Sequence, residues 1–177
     1  MTSALTNQSI FLVGPMGSGK SAVGRRLARD LHRDFIDSDT FIEQRTGVEI
    51  AYIFDKEGEA GFRKREQDAI DVLTRRDGIV LATGGGVVLA PESRAWLASR
   101  GRVVYLHATV VQQLKRTRRS KDRPLLQAGD REQTLTDLMA IRDPLYREIA
   151  ELCVETDGCV VVAVAAEVRR RLDLAAD

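Results

Sequence analysis

Apolar residues along the 177-residue chain follow two rhythms that take turns. Unbroken runs at Ile10–Val13 and Ile79–Ala82 read as strands covered on both faces. Further runs at Asp34–Ile36, Val103–Leu106 and Cys153–Thr156 complete the expected strands. Between them the spacing lengthens to three or four. Val23, Leu27 and Leu31 mark one face of a helix, and Phe62, Ala69 and Leu73 mark another between Glu59 and Arg76. Pro91 suits the first turn of a helix carrying Trp96 and Leu97. Thr109 can cap a helix that runs through Leu114. Leu135, Leu138 and Met139 begin one more, which Pro144 is expected to end or kink. Cys159–Val164 is β-branched, yet Val160, Val164, Val168 and Leu172 recur every four residues. The strand therefore stops at Thr156, Asp157-Gly158 turns, and a C-terminal helix follows. Strands alternating with amphipathic helices predict an α/β domain with a parallel sheet, whose ligands gather at the carboxyl ends of the strands.

Bulk properties narrow the function classes. The length suits one domain, residues 1–177, without repeats or a long linker. A net charge of +1 gives no global pull toward nucleic acid or an anionic membrane. Cys153 and Cys159 lack metal-ligand spacing, so neither a zinc site nor a disulfide framework is expected. Met1 to Ser9 is short and polar, and no apolar run nears the roughly 20 residues of a membrane helix. The expected compartment is the cytoplasm.

The chemistry starts at Gly14-Pro15-Met16-Gly17-Ser18-Gly19-Lys20-Ser21, which fits G-x-x-x-x-G-K-[ST] between a predicted strand and a predicted helix. Glycines let the backbone curl so that its N–H groups meet phosphate oxygens at the positive end of the helix. Lys20 would reach the β- and γ-phosphates and Ser21 would ligate Mg²⁺. A chance glycine-rich turn would not explain the strand before it and the helix after it.

Four further features surround this motif. Asp37 and Asp39 follow the second strand; on extended backbone the two carboxylates would point the same way, one toward Mg²⁺ and one toward an attacking hydroxyl. The plainer alternative is a solvated turn with a helix cap at Asp39. Thr83-Gly84-Gly85-Gly86 leaves the third strand, and so much glycine implies close approach of a ligand or another backbone. Arg63 and Arg142 could grip a carboxylate bidentately, although by themselves they read more readily as surface arginines. The basic run from Leu114 to Leu126 fits a lid over a triphosphate better than a nucleic-acid platform, because no aromatic residue interleaves with it. His32 and His107 are isolated and draw no role.

Taken in order, these segments resemble the shikimate kinase family over essentially the whole chain. The resemblance is carried by GPMGSGKS, Phe35-x-Asp37-x-Asp39-x-x-Ile42-Glu43, Ile50-x-x-Ile53-Phe54, Gly58-Glu59-x-x-Phe62-Arg63-x-x-Glu66, Thr83-Gly84-Gly85-Gly86, Arg123-Pro124-Leu125-Leu126 and Arg142-x-Pro144-x-Tyr146. It implies a P-loop kinase fold like that of the nucleoside monophosphate kinases, with a five-stranded parallel sheet in order 2-3-1-4-5 flanked by helices. It also implies a mobile acceptor-binding segment at about 37–68 and a lid at about 118–130. The implied reaction converts ATP and shikimate to ADP and shikimate 3-phosphate, a step toward chorismate and the aromatic amino acids, with Mg²⁺ as cofactor. By the same resemblance Gly17, Ser18, Gly19, Lys20, Ser21 and Ala22 wrap the phosphates. Ser21 and Asp37 serve the metal, and Asp39 binds the acceptor hydroxyls and is the candidate base. Arg63 and Arg142 clamp the carboxylate with Gly84, Gly85 and Gly86; Arg123 reaches the phosphates from the lid, and Arg116 lies on adenine. Asp157-Gly158-Cys159 offers adenine no basic or amide side chain. The resemblance leans to a monomer without nucleic-acid or membrane partners. A sugar-acid kinase such as one for gluconate, a nucleotide-dependent nucleic-acid binder and a regulatory ATP-binding module are the competing readings.

Overall fold

The computed structural model describes residues 8–118, 124–126 and 129–173. Its five strands are β1 (Ile10–Val13), β2 (Asp34–Asp37), β3 (Ile79–Ala82), β4 (Arg102–His107) and β5 (Leu152–Glu155). All pair in parallel, in the order β2-β3-β1-β4-β5. The helices are α1 (Lys20–Asp30), α2 (Ser38–Thr46), α3 (Ile50–Leu73), α4 (Pro91–Arg100), α5 (Val110–Thr117), α6 (Arg131–Ile149) and α7 (Val161–Arg171).

Strand alternation sorts the core into two layers. Ile10 and Leu12 of β1 face one side with Val23 and Leu27 of α1 and Val164 and Val168 of α7. Phe11 and Val13 face the other side with Ile70 and Leu73 of α3, Leu97 of α4 and Tyr146 of α6. A central strand buried on both faces must be apolar at every position, which is why Ile10–Val13 shows no alternation. Among the described residues no helix is long and apolar enough to cross a membrane.

Three expectations change. β2 ends at Asp37, and Asp39 lies in the first turn of α2, so strand alternation is not what orients the two carboxylates. Asp37, rather than Asp39, is the helix cap: its Oδ1 accepts from the Asp39 and Thr40 amides. α6 does not end at Pro144 but continues to Ile149. Its final turn is anchored by the buried Tyr146, and such packing outweighs one missing backbone bond. α3 begins nine residues before the expected Glu59, and Gly58, at φ 69° and ψ −177°, breaks its helical geometry. The C-terminal valines form α7, as their four-residue recurrence predicts.

Candidate active site

The phosphate loop is built almost wholly from backbone. Gly17 and Gly19 hold φ of 78° and 89°, conformations that residues with a Cβ rarely adopt, and Gly19 caps α1. The first N–H groups of α1 have no acceptor inside the helix and so present a ring of donors to an anion. The Lys20 ammonium is folded over this ring, donating to the carbonyls of Gly14 at 2.7 Å and Pro15 at 2.8 Å. Beside it the Ser21 hydroxyl donates to Asp37 Oδ2 at 2.5 Å. A hydroxyl and a carboxylate side by side form a hard oxygen donor set that suits Mg²⁺, an ion that keeps several waters and phosphate oxygens. Asp37 thus serves two purposes: one oxygen caps α2 and the other reaches the serine of the loop.

Next to this cradle opens a cavity of about 470 Å³, lined by Met16 of the phosphate loop, Asp39, Phe54, Phe62, Arg63, Glu66, Gly84–Gly86, Pro124, Leu125 and Arg142. Six separate segments meet there, and the charged lining sets two guanidiniums among the carboxylates of Asp39, Glu43, Glu49 and Glu66. Arg63 is paired, with Nη1 2.7 Å from Glu66 Oε2 and Nη2 3.2 Å from Glu59 Oε1. Burial works against its charge, but the two glutamates prevail and hold the guanidinium above its ordinary value. Arg142 is 3% exposed, yet among the described residues it has no ion pair, and its Nε has no hydrogen-bond partner. Burial lowers its proton affinity, and the Arg63 charge lowers it further, although an arginine remains charged. A buried cation without a counterion is costly, and an anionic ligand in the cavity would remove that cost.

The glycines leave room for these side chains. A Cβ on Gly86 would fall 2.3 Å from the Arg63 guanidinium carbon, and one on Gly84 would fall 2.5 Å from Glu66 Oε1 and 3.1 Å from Asp39 Oδ1. The Gly84 amide donates to Ser38 Oγ at 3.1 Å, tying the glycine loop to α2. Asp39, Glu66 and Gly84 therefore converge on one wall of the cavity.

On the far side of the phosphate loop, Arg116 donates to the Gly17 carbonyl at 2.9 Å and to Thr156 Oγ1 and carbonyl at 3.0 and 2.7 Å. It joins the phosphate loop to the end of β5. Asp157 does not face that space with a free carboxylate: it accepts from the Thr109 amide at 3.1 Å and Thr109 Oγ1 at 2.5 Å, bracing the start of α5. Arg123 and most of the expected lid lie outside the described residues.

Two residues quoted only as parts of motifs prove central. Glu66 is 2% exposed, and burial raises its pKa despite the neighbouring Arg63. Its signal was present in the sequence: it occupies the apolar stripe of Phe62, Ala69 and Leu73, where an acid needs a partner. Tyr146 reaches the glycine loop after β3 from α6, donating its hydroxyl to the Gly85 carbonyl. No pattern in the sequence marks it as more than a core aromatic.

Known proteins resemble this chain over most of its length. The model of the shikimate kinase family matches residues 16–173. Shikimate kinase of Vibrio cholerae serotype O1 is 54% identical over 166 residues, covering 94% of this chain and 95% of that protein. A structure of shikimate kinase from Acinetobacter baumannii in complex with shikimate superposes with a TM-score of 0.91 at 50% identity, covering 94% of this chain and 93% of that one. A gluconokinase from Sinorhizobium meliloti covers 94% of this chain and 91% of its own at a TM-score of 0.60, but at 18% identity it shares the fold alone. With a match that runs from the phosphate loop to the last helix, this chain belongs to the shikimate kinase family of ATP-dependent small-molecule kinases.

Proposed function

We propose that the 470 Å³ cavity seats shikimate beside the phosphate loop, and that the chain moves the γ-phosphoryl group of ATP to the 3-hydroxyl. The observation that carries this assignment is Arg142: a buried guanidinium without an ion pair among the described residues, facing the same cavity as Arg63. Together the two arginines take the ring carboxylate, while Asp39 and the Gly84–Gly86 backbone order the hydroxyls. Asp39 accepts the proton as the hydroxyl oxygen bonds to the γ-phosphorus. The bond to the bridging oxygen breaks, and its electron pair leaves with ADP.

Lys20 and the amides of Gly17 to Ala22 hold the phosphates, and Arg123 adds positive charge from the lid. Ser21 and Asp37 would hold Mg²⁺, which neutralises phosphate charge when bound. Arg116 flanks the adenine. Closure of the 37–68 segment and the 118–130 lid excludes water, since ATP hydrolysis competes with transfer. This reading has one domain acting as a monomer in the cytoplasm, without nucleic-acid or membrane partners. The test is a coupled ADP-release assay with shikimate, gluconate or no acceptor, with the product followed by mass spectrometry. Shikimate-dependent turnover yielding a monophosphorylated ring acid is expected; turnover with gluconate instead would overturn the assignment.

A further inference from the structure

Tyr146 takes no part in the chemistry above, yet its hydroxyl ends at the middle of the acceptor loop. The side chain is fully buried, and its hydroxyl donates to the Gly85 carbonyl. Burial pushes the phenol well above its ordinary value, so it remains a donor across the working pH range. Arg142, one helical turn earlier, lies close enough to the phenol to act on it electrostatically.

Gly85 is wedged between both halves of the site. A Cβ placed there would lie 3.4 Å from Arg142 Nη1, 3.5 Å from the Met16 amide nitrogen and 3.6 Å from the Gly14 carbonyl oxygen. One residue thus adjoins the carboxylate clamp and the phosphate loop together. The group that holds it is itself fixed. Tyr146 packs on Tyr105 with ring centroids 4.9 Å apart, and the Tyr105 hydroxyl donates to Asp143 Oδ1 at 2.6 Å. Asp143 Oδ2 in turn accepts from Arg147 at 2.8 Å.

We propose that Tyr146 is a positioning residue for phosphoryl transfer: its hydroxyl, held on the Gly85 carbonyl, fixes the acceptor loop between Arg142 and the phosphate loop. In-line transfer depends steeply on placement, and a shift of about 1 Å in a supporting element can cost about a hundredfold. Without the phenol hydroxyl the Gly85 carbonyl loses a buried donor, and the loop must move to find another. Tyr146 would therefore set where the acceptor sits without touching it. The proposal rests on the acceptor reading given above.

Tyr146→Phe keeps the ring and its stacking but removes the donor. Its KM for shikimate should rise about tenfold and its kcat fall about threefold, while the KM for ATP stays within about twofold. Tyr105→Phe removes a neighbouring buried hydroxyl that does not meet the loop, and should leave both KM values within about twofold of the parent. An unchanged shikimate KM in Tyr146→Phe, or equal rises in both variants and for both substrates, overturns the proposal. Should Tyr146→Phe not fold, proton NMR of the parent enzyme decides. A slowly exchanging Tyr146 hydroxyl resonance that shifts with shikimate but not with ADP supports the proposal, and its absence overturns it. The parent enzyme separates the two levels: failure to phosphorylate shikimate sinks the reading of the cavity, whereas normal phosphorylation with a normal Tyr146→Phe sinks the positioning role alone.

Discussion

The phosphate loop occupies consecutive residues between β1 and α1, whereas the acceptor cavity draws Asp39 from α2, Arg63 and Glu66 from α3, the glycines from the loop after β3 and Arg142 from α6. One is backbone, set by φ angles at Gly17 and Gly19 and by a helix end. The other is side chain, set by packing between helices. A phosphate is recognised by charge and a ring of donors, so a local curl suffices. A small hydroxy acid has to be held at its carboxylate and at its hydroxyls together, so the groups that hold it must come from separate directions. The nucleotide half should therefore tolerate changes that ruin the acceptor half, and the converse.

The comparison is tested hardest at Asp39, which lines the cavity and is proposed to take the transferred proton. Asp39→Asn should cut kcat by about 10²–10⁴ while ADP affinity, read by nucleotide titration, stays nearly intact. A near-normal rate would remove Asp39 from the chemistry. Next comes Arg63→Ala, expected to raise the shikimate KM by about a hundredfold with the ATP KM little changed, since removing one partner of a buried charged contact costs about 2–5 kcal/mol. An unchanged shikimate KM would take Arg63 out of the clamp.

The same variant should change the pH dependence of stability. Glu66 has its folded pKa raised by burial, so its contribution to stability is complete below its unfolded value and is lost as pH rises through the folded one. Losing Arg63 raises the folded value further and enlarges that loss. The melting-temperature deficit of Arg63→Ala should therefore widen from about pH 4 upward and then level off. A constant deficit across this range would show that the Glu66 charge is not supported by Arg63.

Smaller effects are expected from Gly84→Ala and Arg116→Ala. The first places a methyl group 2.5 Å from the Glu66 Oε1, a buried neighbour with little room to yield. Overpacking costs about 1–3 kcal/mol, so the shikimate KM should rise about tenfold while ATP binding is spared. Arg116→Ala removes the link between Gly17 and Thr156 and should raise only the ATP KM, by about three- to fivefold. If Arg116→Ala instead weakened shikimate, the two halves would not be separable.

How much of this was legible in the sequence follows the same division. The strands themselves, the phosphate loop and α7 were readable because each rests on near-neighbour spacing: unbroken apolar runs, a fixed glycine pattern, valines every four residues; the strand order was implied only by the family resemblance. Asp37 and Asp39 were read as a pair on extended backbone, but a helix begins between them, so Asp37 caps it and Asp39 lies in its first turn. Pro144 was read as an end or a kink; the helix does not end there, because Tyr146 two residues later is anchored in the core. Arg63 and Arg142 could not be told from surface arginines by spacing, because their burial depends on α3 and α6 reaching one cavity.

Sequence by itself determined the layered α/β order and the phosphate cradle, since strand burial and a glycine curl are properties of adjacent residues. Tertiary structure alone decided which charges are buried, which of them are paired, and which meet. Glu66 and Arg63 share a helix, but the burial of Arg142 without an ion pair among the described residues, and the Tyr146 grip on Gly85, exist only because distant segments are brought within ångströms of one another. Desolvation follows from what surrounds a group in space, and that is settled only when the chain has folded.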